Sequence, residues 1–101
     1  MAVYRMDDGK LVDTDKTVQS WDEQTYWDGN NRRSVATGSQ WVHERLHKSR
    51  KGRYYIERWS QCQGSTPSAE WVTEREATAW LLLNGHDLPE DLKRFEAEVC
   101  E

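Results

Sequence analysis

Five residues, His43-Glu44-Arg45-Leu46-His47, spell H-E-x-x-H. On a helix the two histidines would share one face and bind zinc, with Glu44 as the general base of a minimal peptidase. A third ligand would then come from Glu70, Glu74 or His86. On a strand, residues four apart are separated by roughly 13 Å, whereas zinc binds nitrogen at about 2 Å. An extended backbone therefore excludes one metal held by both histidines, and leaves two surface histidines on a strand.

A second set of residues follows at once. Lys48, Arg50, Lys51 and Arg53, with Tyr54 and Tyr55 beside them, combine cations that suit phosphate with rings that suit stacking. That combination fits a nucleic-acid contact, but it equally fits a solvated hairpin end whose cations discourage edge pairing. The third set is aromatic: Trp21, Trp27, Trp41, Trp59, Trp71 and Trp80. Six tryptophans are more than a small core can bury completely, and exposed tryptophan and arginine mark the energetic centres of protein interfaces. Trp41, Lys48, Arg50, Lys51, Arg53, Tyr55, Arg58 and Trp59 are accordingly the expected binding residues, for a protein or for nucleic acid. No Ser/His/Asp set, glycine-rich phosphate loop or CxxC pair is present, so neither catalysis nor a cofactor is expected.

These side chains are positioned by one element. Residues 40–61 read as two β-favouring runs around the polar tip Ser49-Arg50-Lys51-Gly52-Arg53, which predicts a β-hairpin. Register follows from cross-strand charge. If Lys48 faces Tyr54, then Leu46 faces Ile56, Arg45 faces Glu57, Glu44 faces Arg58 and His43 faces Trp59, so opposite charges meet. A slip by one would set Lys48 on Arg53 and Glu44 on Glu57, which like-charge repulsion disfavours.

The rest of the chain is arranged around this ribbon. Val3 to Met6 and Lys10 to Asp13 are strand candidates about an Asp8-Gly9 turn. Asp13 to Asp15 offers capping side chains, and with Val18 and Trp21 one turn apart a short helix is expected over 15–23. Asp28 to Asn31 is turn chemistry, and 32–39 shows no clear period. Gln63 to Ser68 is a loop connection, and Glu70 to Val72 a short strand. Thr73 and Glu76 form a capping box ahead of a helix carrying Ala77, Trp80 and Leu81, which Gly85 ends. Pro89 opens a second helix with Glu90 and Asp91 in its first turn and Leu92, Phe95 and Val99 on its buried face. That helix is acidic and would be repelled by a major groove, so the pair is not a DNA-reading helix-turn-helix. The expected fold is one α+β domain over residues 1–101: a small antiparallel sheet built on a central hairpin, with two C-terminal helices packed on it.

Bulk properties bound the function classes. At 101 residues with 32% charged side chains and a mean hydropathy of -1.03, one small core is expected. The net charge of -4 hides a basic hairpin tip and an acidic stretch from Asp87 onward. No apolar run approaches the roughly 20 residues of a membrane span, and Ala2-Val3-Tyr4-Arg5 does not read as a signal peptide. A cytoplasmic protein with no membrane partner is expected, with Cys62 and Cys100 reduced.

Taken in order, Val12-Asp13-Thr14-Asp15, then Trp41…Leu46-His47-Lys48-Ser49-Arg50-Lys51-Gly52-Arg53-Tyr54-Tyr55-Ile56, then Trp71-Val72-Thr73…Glu76-Ala77…Trp80 resembles a family of small uncharacterised bacterial proteins of phages and mobile elements. Its pattern has a "YDT" start, an "LYR-KKG" hairpin and an "LT-EEA-W" helix, and it does not hold histidine at the positions of His43 and His47. The resemblance implies an inhibitor of a host defence system, of the anti-CRISPR kind. The combined expectation is a non-catalytic protein-binding adaptor or inhibitor, with nucleic-acid binding through the hairpin tip as the alternative and a zinc peptidase behind it.

Overall fold

The structure is a computed structural model that describes residues 2–61 and 66–100. Cys62 and the first half of the expected loop at 63–68 lie outside the described residues.

The central hairpin pairs β6 (Val42–Lys48) with β7 (Tyr54–Ser60), and its register sets Lys48 against Tyr54, Leu46 against Ile56, Arg45 against Glu57, Glu44 against Arg58 and His43 against Trp59. This is the charge-matched register. The turn closes through the Gly52 amide on the Ser49 carbonyl at 2.9 Å and the Ser49 amide on the Arg53 carbonyl at 2.7 Å. Gly52 sits at φ 87, a left-handed angle that glycine reaches without steric cost.

Two further strands complete an antiparallel sheet. β3 (Gln19–Asp22) pairs with β6 and β8 (Ser68–Val72) pairs with β7, giving the order β3-β6-β7-β8. β3 takes four of the nine residues of the helix expected over 15–23. Only Thr14–Lys16 coils, as one 3-10 turn capped by Asp13, whose carboxylate accepts from the Asp15 amide at 3.0 Å. From Val18 onward the free edge of β6 offers a ladder, and Trp21 gains the core by facing Leu46. Tertiary pairing outweighs the one-turn Val18–Trp21 spacing.

The two faces of this sheet are covered differently. On one face lies α1 (Glu74–Leu83), whose Ala77, Trp80 and Leu81 pack with Trp21, Leu46, Tyr54 and Ile56. Thr73 and Glu76 make the reciprocal capping box, and Gly85 follows the helix at φ 74. The second helical segment is largely a 3-10 helix (Glu90–Phe95), continuing into one turn of α2 (Glu96–Val99). Of its expected apolar face only Leu92 is fully buried; Phe95 and Val99 are half-buried. On the other face sits a separate hairpin, β1 (Val3–Arg5) with β2 (Leu11–Asp13), whose Met6 and Val12 close over Tyr55. A third hairpin, β4 (Thr25–Trp27) with β5 (Arg32–Ser34), turns through Asp28, which accepts from the Asn30 and Asn31 amides. The fold is α+β, and no helix among the described residues is long and apolar enough to cross a membrane.

Candidate binding cleft

Alternation along β6 divides the H-E-x-x-H segment between the two faces of the sheet. Glu44 points to the helical side, where its Oε1 accepts from the Trp80 indole at 3.1 Å and its Oε2 from Arg58 Nε at 2.8 Å. His43 and His47 point the other way, and each is engaged by its own carboxylate. His43 Nδ1 lies 3.2 Å from Glu23, and His47 Nε2 lies 2.9 Å from Glu57. Tyr4 donates to the second Glu57 oxygen at 2.6 Å. His47 is buried and stacks on Tyr55, so it is a core residue and not the surface histidine that a bare strand suggests. Burial pushes its imidazole below the usual range, with the Glu57 hydrogen bond pulling the other way. His86, a conceivable third ligand, bonds the Asp22 carbonyl at 2.6 Å and stacks on Trp80. Among the described residues no three His, Cys, Asp or Glu side chains converge on a point where a metal could sit.

The eight residues expected to form one binding surface are distributed over two ends and two faces. Trp41 is exposed at the base of the hairpin. Trp59, also near the base, is met by the His43 ring at 5.9 Å and the Arg45 guanidinium at 5.5 Å. Arg58 lies on the helical face against Glu44. Lys48 is on that same face at the tip, where its Nζ and the Tyr54 hydroxyl both reach Asp91 Oδ2, at 3.2 and 2.8 Å. Six strand steps separate base from tip, roughly 20 Å, so Trp41 and Arg50 cannot meet one small ligand.

Arg50, Lys51, Arg53 and Tyr55 do come together. They line a cleft of about 720 Å³ between the hairpin tip and the N-terminal hairpin, which contributes Lys10, Leu11, Val12, Asp13, Lys16 and Thr17, while Trp71 comes from β8. Its wall is an aromatic stack: Arg53 lies 3.7 Å over the Trp71 ring, and Trp71 meets Tyr55 edge-on at 5.8 Å. Arg53 also bonds Asp8 at 3.0 Å. The Trp71 indole first, then the Lys10 amide and Arg53, hold the Asp8 carboxyl down to about 2 against the effect of burial.

Charge pairing separates this cleft from the remaining surface. Eight of the fourteen lysines and arginines form ion pairs with carboxylates: Arg33, Arg45, Lys48, Arg53, Arg58, Arg75, Lys93 and Arg94. Six form none among the described residues: Lys10, Lys16, Arg50 and Lys51, which all line the cleft, and Arg5 and Arg32, which do not. Asp13, the cleft's own carboxylate, already accepts from the Asp15 amide. Tyr55 has no exposed surface, and its hydroxyl has no hydrogen-bond partner. Burial, followed by the Glu57 and Asp13 charges, keeps that phenol protonated far above neutrality, so it is a donor.

Lys10 and Lys16 were not among the residues that spacing singles out. They are more than thirty positions from the tip, and only the docking of one hairpin on another brings them there. No family model matches the chain, and no curated protein or solved structure matches it.

Proposed function

We propose that the protein is a non-catalytic binding protein, an adaptor or inhibitor, which receives an acidic segment of another protein in the cleft at the hairpin tip. The observation that carries this reading is the gathering of Lys10, Lys16, Arg50 and Lys51, unpaired, around one concavity in a chain whose other cations are mostly paired. Unpaired cations raise the local positive potential, which speeds the approach of an acidic partner and suppresses basic ones. The exposed Leu11 on the rim adds apolar contact of the kind protein interfaces use. A partner within a host defence complex agrees with the mobile-element resemblance of the sequence.

Nucleic acid is the second reading, favoured by the Arg53–Trp71 stack beside four free cations. A net charge of -4 opposes it, because a long polyanion would meet carboxylates on the rest of the surface.

The test is affinity capture from host lysate with the native chain and with the Arg50→Glu/Lys51→Glu double variant. Captured protein that is lost from the variant, and that dissociates progressively with added salt, is the expected result. The same proteins retained equally by both forms would overturn the reading. A strongly salt-dependent mobility shift with DNA or RNA, absent from the variant, would favour the second.

A further inference from the structure

We propose that the cleft is a receptor for a single phosphomonoester: a phosphoryl dianion, carried on a side chain of the partner, seats among Lys10, Lys16, Arg50 and Lys51 in the cleft that Tyr55 helps to line. This rests on the protein-binding reading and adds the chemistry of the group that is read.

One observation points to phosphate and away from a simple carboxylate, and two more point to a seated anion. The first is the charge surplus. Four cations without carboxylate partners surround a volume with one acid of its own, Asp13, whose Oδ1 also caps the Asp15 amide; four positive charges less one negative leave a surplus of three. A carboxylate brings one negative charge, whereas a phosphomonoester brings about 1.5 to 2 together with three strong acceptor oxygens. The second is Tyr55. A buried hydroxyl with no acceptor is unfavourable in the unliganded fold; Tyr55 lines the cleft, and a ligand oxygen that parts the lining over it would supply the acceptor it lacks. The third is the preset geometry of the wall. Arg53 is held by Asp8 and by the Trp71 ring, so the aromatic floor is fixed before any ligand arrives.

Shape favours one phosphate over a string of them. Single strands are held in grooves that follow the backbone for several nucleotides. Here the tip of β6–β7 and the β1–β2 hairpin bound one concavity. A diester also carries one charge per phosphate, which leaves much of the cationic surplus unanswered.

The experiment is calorimetric titration of the full chain with four probes: inorganic phosphate, a short neutral peptide bearing one phosphoserine, its unphosphorylated twin, and a single-stranded oligonucleotide. Binding of the phosphopeptide at least tenfold tighter than its twin is expected. Inorganic phosphate competing with it would show that the phosphoryl group itself is read; phosphate binding with no peptide binding would assign the site to a free phosphate metabolite and overturn the partner-borne group. Arg50→Ala/Lys51→Ala should weaken the phosphopeptide by about tenfold or more, as expected for lost charge-assisted hydrogen bonds. Tyr55→Phe should weaken it severalfold while leaving the urea midpoint unchanged or raised, because the variant removes an unpaired buried hydroxyl. A purely structural Tyr55 would leave affinity untouched, and that result overturns the assignment. Equal affinity for both peptides, or tighter binding of the oligonucleotide, also overturns it. If equal peptide affinity coincides with lysate capture that still depends on Arg50 and Lys51, the phosphate inference alone falls.

Discussion

The indole Nε1 of Trp80 donates to Glu44 Oε1 at 3.1 Å across the interface between helix and sheet. Glu44 is 6% exposed and also receives Arg58 Nε at 2.8 Å on its second oxygen. The glutamate of the H-E-x-x-H string is thus an acceptor for the core, facing away from both histidines. Glu44→Ala leaves a buried N–H without an acceptor and should cost about 2–3 kcal/mol. Glu44→Gln keeps a carbonyl for Trp80 and should cost less than half as much. Urea denaturation measures both, and an unmoved midpoint in Glu44→Ala would contradict the role given to this bond.

His47 makes the fold sensitive to mild acid. Its Nε2 donates to Glu57, so the buried Nδ1 is a lone pair without a partner. Protonation there would bury both a charge and an unsatisfied N–H, which is why burial lowers its pKa below the ordinary 6.5. The unfolded chain then binds the proton more readily than the folded one. The stability this group contributes is present above pH 6.5 and is lost as pH falls through the window down to its folded value, at up to about 1.4 kcal/mol per pH unit. Thermal unfolding between pH 7.5 and 5 should show a falling midpoint. His47→Gln should flatten that slope, and a slope unchanged by the substitution would assign the acid sensitivity elsewhere.

The sequence made some of this architecture legible and hid the rest for a physical reason. The register of β6 on β7 was readable because Arg45–Glu57 and Glu44–Arg58 test it locally, a few positions from the turn. Thr73 and Glu76 announced the start of α1 in the same way, since a capping box is complete within four residues. β3 was not readable, because its reason for being extended is the edge of β6, some twenty-five residues later. The cleft was half readable. Arg50, Lys51 and Arg53 lie on the turn itself, but Lys10 and Lys16 join them only through Met6 and Val12 packing on Tyr55. The same packing buries Tyr55, which alternation alone left open to solvent.

Asp91 ties the hairpin tip to the C-terminal segment, and its carboxyl reports the tie. Burial pushes its pKa up, but the hydrogen bonds from Tyr54 and Lys48 outweigh it, so the net shift is downward. A depressed carboxyl contributes stability above its ordinary value of 3.8 and loses it as pH falls through the folded value. Tyr54→Phe removes one of the two donors. The Asp91 carboxyl, followed by NMR titration, should move upward, and unfolding at pH 7 should become easier by about 1 kcal/mol. A carboxyl that titrates identically in the variant would mean the Tyr54 bond is not formed in solution.

Gly52 connects the stability of the turn to the cleft. At φ 87 it occupies backbone space that alanine enters only with strain, yet an added Cβ would meet nothing within 4 Å. The cost of Gly52→Ala is therefore a backbone cost alone, about 1–2 kcal/mol. The chain can relieve it by opening the turn between Lys51 and Arg53, and that displaces Arg50 and Lys51 from the cleft rim. Gly52→Ala should consequently lose both stability and ligand affinity. Gly52→Asn, whose side chain tolerates left-handed angles better, should recover most of each. Affinity restored by asparagine in step with stability would place the turn geometry upstream of binding; stability restored without affinity would break that link.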